Sequence, residues 1–148
     1  MPNERGEHEE KTIGFLLKQL NDGTKQMVDA KLQPFGLTMT QAQFLYFLRT
    51  RMGKTTTPKH FEEHFGIAHP TVVGVLKRLE QKELIAAMPD PEDGRRKIIT
   101  LAPAEQQIHR QVQATRQTIE ACLIDKMTPQ EVADLKIMLE RLLANIQD

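Results

Sequence analysis

The sequence has no tryptophan and only one cysteine, Cys122. A single thiol excludes an intramolecular disulfide framework and agrees with a reducing compartment. No apolar run approaches the roughly 18 residues that span a bilayer, so no membrane-embedded segment is expected. Residues Met1 to Glu10 are acidic and polar and lack the basic start and apolar stretch of a signal peptide, so the expectation is a cytoplasmic location. Internal repeats and low-complexity segments are absent. So are a Gly-rich phosphate loop and a nucleophile elbow, while Cys122 falls in mid-helix without an evident activating partner. The sequence therefore offers no catalytic machinery and no cofactor site. Net charge is lacking too: 20 Lys and Arg balance 20 Asp and Glu. Phosphate contact supplies much of the affinity for DNA, so a nucleic-acid function would have to rest on local charge.

What is present reads as one compact domain, 1–148, of ordinary globular composition, with 39% hydrophobic and 27% charged residues. From Arg51 to Thr100 there are nine Lys or Arg against seven Asp or Glu, and three of the nine sit together as Arg95, Arg96 and Lys97.

Ile13, Leu16, Leu17, Leu20, Met27, Val28 and Leu32 follow the three-four spacing of one helix face, which Pro34 and Gly36 end. Thr40 reads as the cap of a second helix carrying Phe44, Leu45, Phe47 and Leu48, with Gly53 just beyond it. Thr57 and Pro58 read as N-cap and first position of a short third helix that Gly66 stops. Pro70 opens a fourth, with Val72, Val75, Leu76 and Leu79 as its apolar stripe. Two short helices joined by a few residues including glycine are a helix-turn-helix signature. Leu84 to Met88 and Lys97 to Leu101 are β-compatible runs around the turn-rich Pro89 to Arg96, which predicts a hairpin with a charged tip. A long helix follows from Pro103 to about Lys126, with Ile108, Val112, Thr115, Ile119 and Leu123 on one face. Thr128 to Glu131 forms a capping box for a last helix with the seam Val132, Leu135, Met138, Leu139, Leu142, Leu143 and Ile146.

In this order, Phe35-Gly-Leu-Thr-Met-Thr-Gln41, Pro70-Thr-Val-Val-Gly-Val-Leu-Lys-Arg-Leu-Glu80 with Leu84-Ile85, and Asp90-Pro-Glu-Asp-Gly-Arg-Arg-Lys-Ile-Ile-Thr-Leu101 resemble the MarR family of transcriptional regulators from about Ile13 to the C-terminus. The resemblance implies a mainly α fold with a small β-hairpin wing. A winged helix-turn-helix lobe, 38–101, would be flanked by dimerisation helices at 13–33 and 103–148. It implies a repressor that binds a pseudo-palindromic double-stranded operator as a homodimer. Several positions depart from the family's pattern. Gly74 stands where many members carry arginine, Val73 where threonine is common, Glu83 where glycine usually ends the recognition helix, and Ala102 where threonine commonly caps the next helix. That last cap would be absent, displaced to Thr100, or replaced by the stiffness of Pro103.

A recognition helix meets base edges with its N-terminal residues, which makes His69, Pro70, Thr71, Val73 and Gly74 the candidates there. Lys77 and Arg78, later on the helix, suit phosphate neutralisation. At the wing, Asp93 stands two residues before Arg95, close enough to orient a guanidinium for a narrow minor groove, with Arg96 and Lys97 beside it. The dimer would use Ile13, Leu17, Leu135, Met138, Leu139, Leu142 and Leu143; dimerisation is the economical use of such a seam, packing within one chain is the alternative, and the seam is expected to serve both. Many relatives respond to small aromatic or amphipathic molecules held between the dimer helices and the DNA-binding lobe. Phe15, Met27, Phe44, Phe47 and His109 are the candidates for such a pocket, against a plain role in the core.

Two alternatives stand beside this reading. One is a metal-responsive regulator, since His60 and His64 are spaced i, i+4 with His69 or Glu63 near, although no metal is assigned. The other is a dimeric interaction module that does not bind DNA. Cys122 reads as an inert buried or interfacial residue, and no cysteine stands near the N-terminus, where some relatives sense oxidants.

Overall fold

The computed structural model describes residues 11–147 of the chain, so the reading of Met1 to Glu10 lies outside the described residues. Six helices and one antiparallel hairpin follow in the order α1 (Ile13–Leu32), α2 (Met39–Thr50), α3 (Pro58–Phe65), α4 (His69–Gln81), β1 (Ile85–Pro89), β2 (Lys97–Leu101), α5 (Glu105–Leu123) and α6 (Pro129–Ile146).

The caps explain most of the boundaries. Thr12 opens α1 by accepting the Phe15 amide at 3.2 Å. A 3-10 turn, Gln33–Phe35, and a left-handed Gly36 close it. Thr38, not Thr40, caps α2. Its hydroxyl accepts the Gln41 amide and the Gln41 side chain accepts the Thr38 amide, both at 3.2 Å, which places Thr40 inside the first turn. The sequence contains threonine at both positions, and the glutamine three residues after Thr38 decides between them. Asp29 of α1 accepts the Met39 amide at 2.7 Å, tying the two helices together where they turn.

Between α2, α3, α4 and the hairpin lies the core. Phe44 and Phe61 are fully buried with ring centroids 4.7 Å apart, and Phe65 stacks on Phe44 at 4.9 Å. The stripe Val72, Val75, Leu76 and Leu79 seals α4 onto this cluster, and Leu84, Ile85 and Ile99 close it from the hairpin. Such burial removes about 1.5–3 kcal/mol of apolar exposure per large side chain, which holds α3 and α4 as one rigid unit.

β1 and β2 pair in the register Ile85↔Leu101 to Pro89↔Lys97. The loop after α2 adds a third extended stretch, because the Ile99 amide donates to the Thr56 carbonyl at 2.8 Å. Arg51 stiffens that loop by donating to Thr56 Oγ1 and the Thr55 carbonyl, each at 2.9 Å.

Two helix ends differ from the sequence expectation. The turn after α4 is sharp although no glycine occupies it: Glu83 adopts φ +61°. α5 begins at Glu105 and not at Pro103, without a side-chain cap. The Glu105 amide donates to the Ala102 carbonyl, so a Pro103–Ala104 turn takes the place of a capping threonine, while Thr100 lies within β2. α6 carries the expected Thr128/Glu131 capping box, and none of its residues is buried. Packing within one chain reaches this seam only in part, since Val132 and Leu142 are half-buried and the rest of it is exposed.

Candidate nucleic-acid interface

With its buried stripe turned inward, α4 presents His69, Pro70, Thr71, Val73, Lys77 and Arg78 outward, and Gly74 between them is half-buried. Ala68 begins the helix without a side-chain hydrogen bond, and Pro70 in the first turn lacks the amide that would otherwise need one. The first turn thus presents the Pro70 ring and the exposed Thr71 side chain, while the Thr71 and Val72 amides both donate to the Ala68 carbonyl. Val73 is 42% exposed, an aliphatic side chain held in water by its place on the helix. His69 is not free to turn: its Nδ1 lies 3.0 Å from a Glu62 carboxylate oxygen of α3, which ties the two helices of the motif together.

Residues 91–97 of the wing are exposed throughout, so Asp93, Arg95, Arg96 and Lys97 all reach solvent. The geometry inside the tip corrects the expected Asp93–Arg95 ion pair. Asp93 Oδ1 accepts the backbone amide of Arg95 at 3.0 Å, and its carbonyl accepts the Arg96 amide, so Asp93 shapes the turn. The carboxylate that holds a guanidinium is Asp90, buried at the base of the tip. Its Oδ2 accepts from Arg96 Nε at 3.2 Å and Nη2 at 2.8 Å, and its Oδ1 accepts the Glu92 amide. Arg96 and that amide hold the Asp90 carboxyl below the usual carboxylate range. Arg96 thus braces the wing, and Arg95 is left as the guanidinium at the tip with no ion pair among the described residues. The flanking of the tip by Asp90 and Arg96 was visible in the sequence, but which arginine each aspartate meets depends on the hairpin register.

A cleft of about 500 Å³ opens between α1, α2 and α5, lined by Val28, Leu32, Tyr46, Phe47, His109 and Val112 among others. Two of the five residues considered for a pocket, Phe47 and His109, reach it. Phe44 is consumed by the aromatic core, Phe15 is 46% exposed near the start of α1, and half-buried Met27 does not line the cleft. The family resemblance grouped them as apolar and titratable candidates, but α1 lends the cleft only its later residues Thr24, Val28 and Leu32. Sequence reading missed the polar end of this cleft: buried Glu105 pairs with Arg49 and lies 3.5 Å from His109 Nδ1. It also missed Arg116, whose guanidinium sits 3.7 Å from the Tyr46 ring centroid.

The histidines considered for metal are otherwise engaged. His60 Nδ1 accepts the Thr57 amide at 3.0 Å as part of the α3 cap, and the His64 ring stacks on Phe47 at 4.4 Å. Among the described residues no group of three His, Cys, Asp or Glu could hold a metal ion. Cys122 is exposed on α5, which corrects the buried half of the expectation that it is a buried or interfacial residue.

A helix-turn-helix whose second helix presents its outer face beside an exposed, charged hairpin is the arrangement of winged helix-turn-helix transcriptional regulators. The MarR family model matches residues 35–96, which hold α2 to the wing. An HTH-type transcriptional repressor of Mycobacterium bovis is 24% identical over 130 residues, 88% of this chain and 92% of the relative. Among solved structures, the Staphylococcus aureus MepR–DNA complex superposes with a TM-score of 0.88 at 26% identity, covering 93% of this chain and 100% of MepR. A mutant of MarR from Escherichia coli in complex with operator DNA superposes with a TM-score of 0.79 at 24% identity, covering 88% of this chain and 92% of that one. Residues 35–96 thus match the MarR family, and the fold of the chain is that of MarR-family transcriptional regulators. No helix among the described residues is long and apolar enough to cross a membrane.

Proposed function

We propose that the chain is a homodimeric repressor that grips a pseudo-palindromic operator with α4 and the wing of each copy. A small aromatic or amphipathic molecule in the cleft between α1, α2 and α5 would release it. The observation that carries the dimer is the apolar surface of the terminal helices. On α6, Leu135, Met138, Leu139, Leu143 and Ile146 are 37–79% exposed, and on α1 Ile13 and Leu17 are 62% and 39% exposed. A continuous apolar seam of this extent on a soluble fold is a surface for association, and a second copy supplies the same seam. Two copies about a two-fold axis then offer two recognition helices to successive major grooves. Contacts of Thr71, Lys77, Arg78 and Arg95 with DNA are supported by their exposure and by the MepR complex of like fold. The effector reading is supported by the cleft, which joins a terminal helix to the DNA-binding lobe and is apolar with a few polar groups at one end.

The test is a duplex selected from genomic fragments, titrated at several salt concentrations, with the mass of the protein followed by light scattering. The expected parent is a dimer at micromolar concentration whose affinity falls steeply with salt. Changing both Leu139→Asp and Leu142→Asp should give a folded monomer that no longer binds, since an unpaired charge in the dimer seam is costly. A monomeric parent, or full binding by the monomeric variant, would refute the symmetric arrangement. A dimer that binds no duplex would instead mark an interaction module without DNA.

A further inference from the structure

We infer that Arg78 reads a guanine in the major groove, with its guanidinium laid forward over Gly74; this rests on the DNA-binding role proposed above. Nothing in the local structure calls for a glycine at position 74. Gly74 lies in the middle of α4, where glycine weakens a helix relative to alanine. Its backbone does not require it, since the positive-φ glycines are Gly36, Gly53 and Gly66. Packing does not require it either. Among the described residues, the atom that a Cβ at position 74 would meet within 4 Å is Arg78 Nη1, at 3.9 Å.

Residues 74 and 78 share a face one turn apart, and helical side chains lean toward the N-terminus. The bare backbone at Gly74 lets the arginine stem lie along the helix and brings its guanidinium about one 5.4 Å turn ahead of its own Cα. Two things keep it there. Lys82, one turn behind, is fixed by donating to Gln41 Oε1 at 2.7 Å and to the Gly36 carbonyl, and its positive charge opposes a backward swing. Burial lowers the Lys82 pKa and the charge of Arg78 lowers it further, a sign that the two cations feel each other. No ion pair among the described residues draws Arg78 elsewhere. The forward position lies toward the N-terminal part of the helix that faces base edges, flanked by Pro70, Thr71 and Val73, none of which carries a long polar side chain. A guanidinium there offers two parallel N–H donors, which match O6 and N7 of guanine; a phosphate contact would need only its charge.

The experiment selects duplexes from a randomised library with the full chain as parent, Arg78→Lys and Gly74→Leu. Affinities are then measured for the parent's selected duplex and for copies with each guanine pair changed to an adenine pair. In the parent, one symmetric guanine pair should be preferred by about 5- to 150-fold. Arg78→Lys keeps the charge but loses the fork, and the preference at that pair should fall toward one. Gly74→Leu fills the space under the guanidinium with a better helix former and should flatten the same pair in a folded dimer. An unchanged guanine preference in either variant would overturn the inference and leave Arg78 a phosphate contact. A parent that enriches no duplex would overturn the DNA-binding reading, and this one with it.

Discussion

Replacing Glu83 by glycine should stabilise the folded chain by about 0.5–1 kcal/mol, and the size of that gain can be worked from the backbone. Glu83 sits directly behind α4 at φ +61°, where the Cβ of an L-residue crowds the following carbonyl at a cost of about 1–2 kcal/mol. The conformation is imposed from both sides. The Glu83 amide donates to the Glu80 carbonyl at 2.9 Å and the Leu84 amide to Leu79 at 3.1 Å, and Leu84 and Ile85 must then enter the core. Glycine removes the crowding but gives the unfolded chain more freedom, which returns about 0.5–1 kcal/mol. Urea unfolding at one fixed protomer concentration measures the difference, since the midpoint of a dimer shifts with concentration. A thermal midpoint raised by about 1–4 °C is the parallel expectation. Glu83→Ala keeps the Cβ and should show no such gain. If alanine stabilised as much as glycine, the effect would come from losing the carboxylate and the strain argument would fail; a glycine variant less stable than the parent would refute it outright.

Arg95→Ala should cost about 1–3 kcal/mol in affinity for the selected duplex and make the salt slope shallower by about one, because the tip guanidinium has no other partner; unchanged affinity in a folded dimer would make the wing purely structural. Asp93→Ala should act differently, speeding amide exchange at Arg95 by removing its side-chain acceptor, and an unaltered exchange rate would contradict the contact at 3.0 Å. The Asp90–Arg96 brace should titrate. A carboxyl whose folded pKa is depressed contributes order that is fully present above its unfolded value, near 4, and is lost as pH falls through the depressed one. Acid titration by NMR should therefore loosen the wing below about pH 4 in the parent, while Asp90→Asn should have a loosened wing at neutral pH as well.

Much of the fold was legible because the signals are local. Thr57-Pro58 with Gly66, and Thr128 with Glu131, bound their helices by chemistry that acts within four residues, and the α4 stripe follows from the 3.6-residue period. The choice of Thr40 over Thr38 failed where two good caps stood side by side and a reciprocal bond to Gln41 separated them. The candidate site divided in the same way. The outward residues of α4 were readable from their complement, the buried stripe; the pairing at the wing tip was not. A turn motif places Asp93 near Arg95, but hairpin register brings Asp90 to Arg96 across six positions.

Sequence alone thus determined the order of the elements, the inward face of each short helix and the charged tip, because periodicity, capping and turn chemistry are properties of neighbouring residues. Only the tertiary structure decided that Phe44 belongs to the core while Phe47 and His109 reach the cleft, and that Arg49 and His109 converge on Glu105. It alone showed that, among the described residues, none of the α6 seam is buried and only Val132 and Leu142 are half-buried. Those outcomes depend on how α1, α2 and α5 cross, and a crossing angle is set by side chains meeting from distant parts of the chain, which no local pattern encodes.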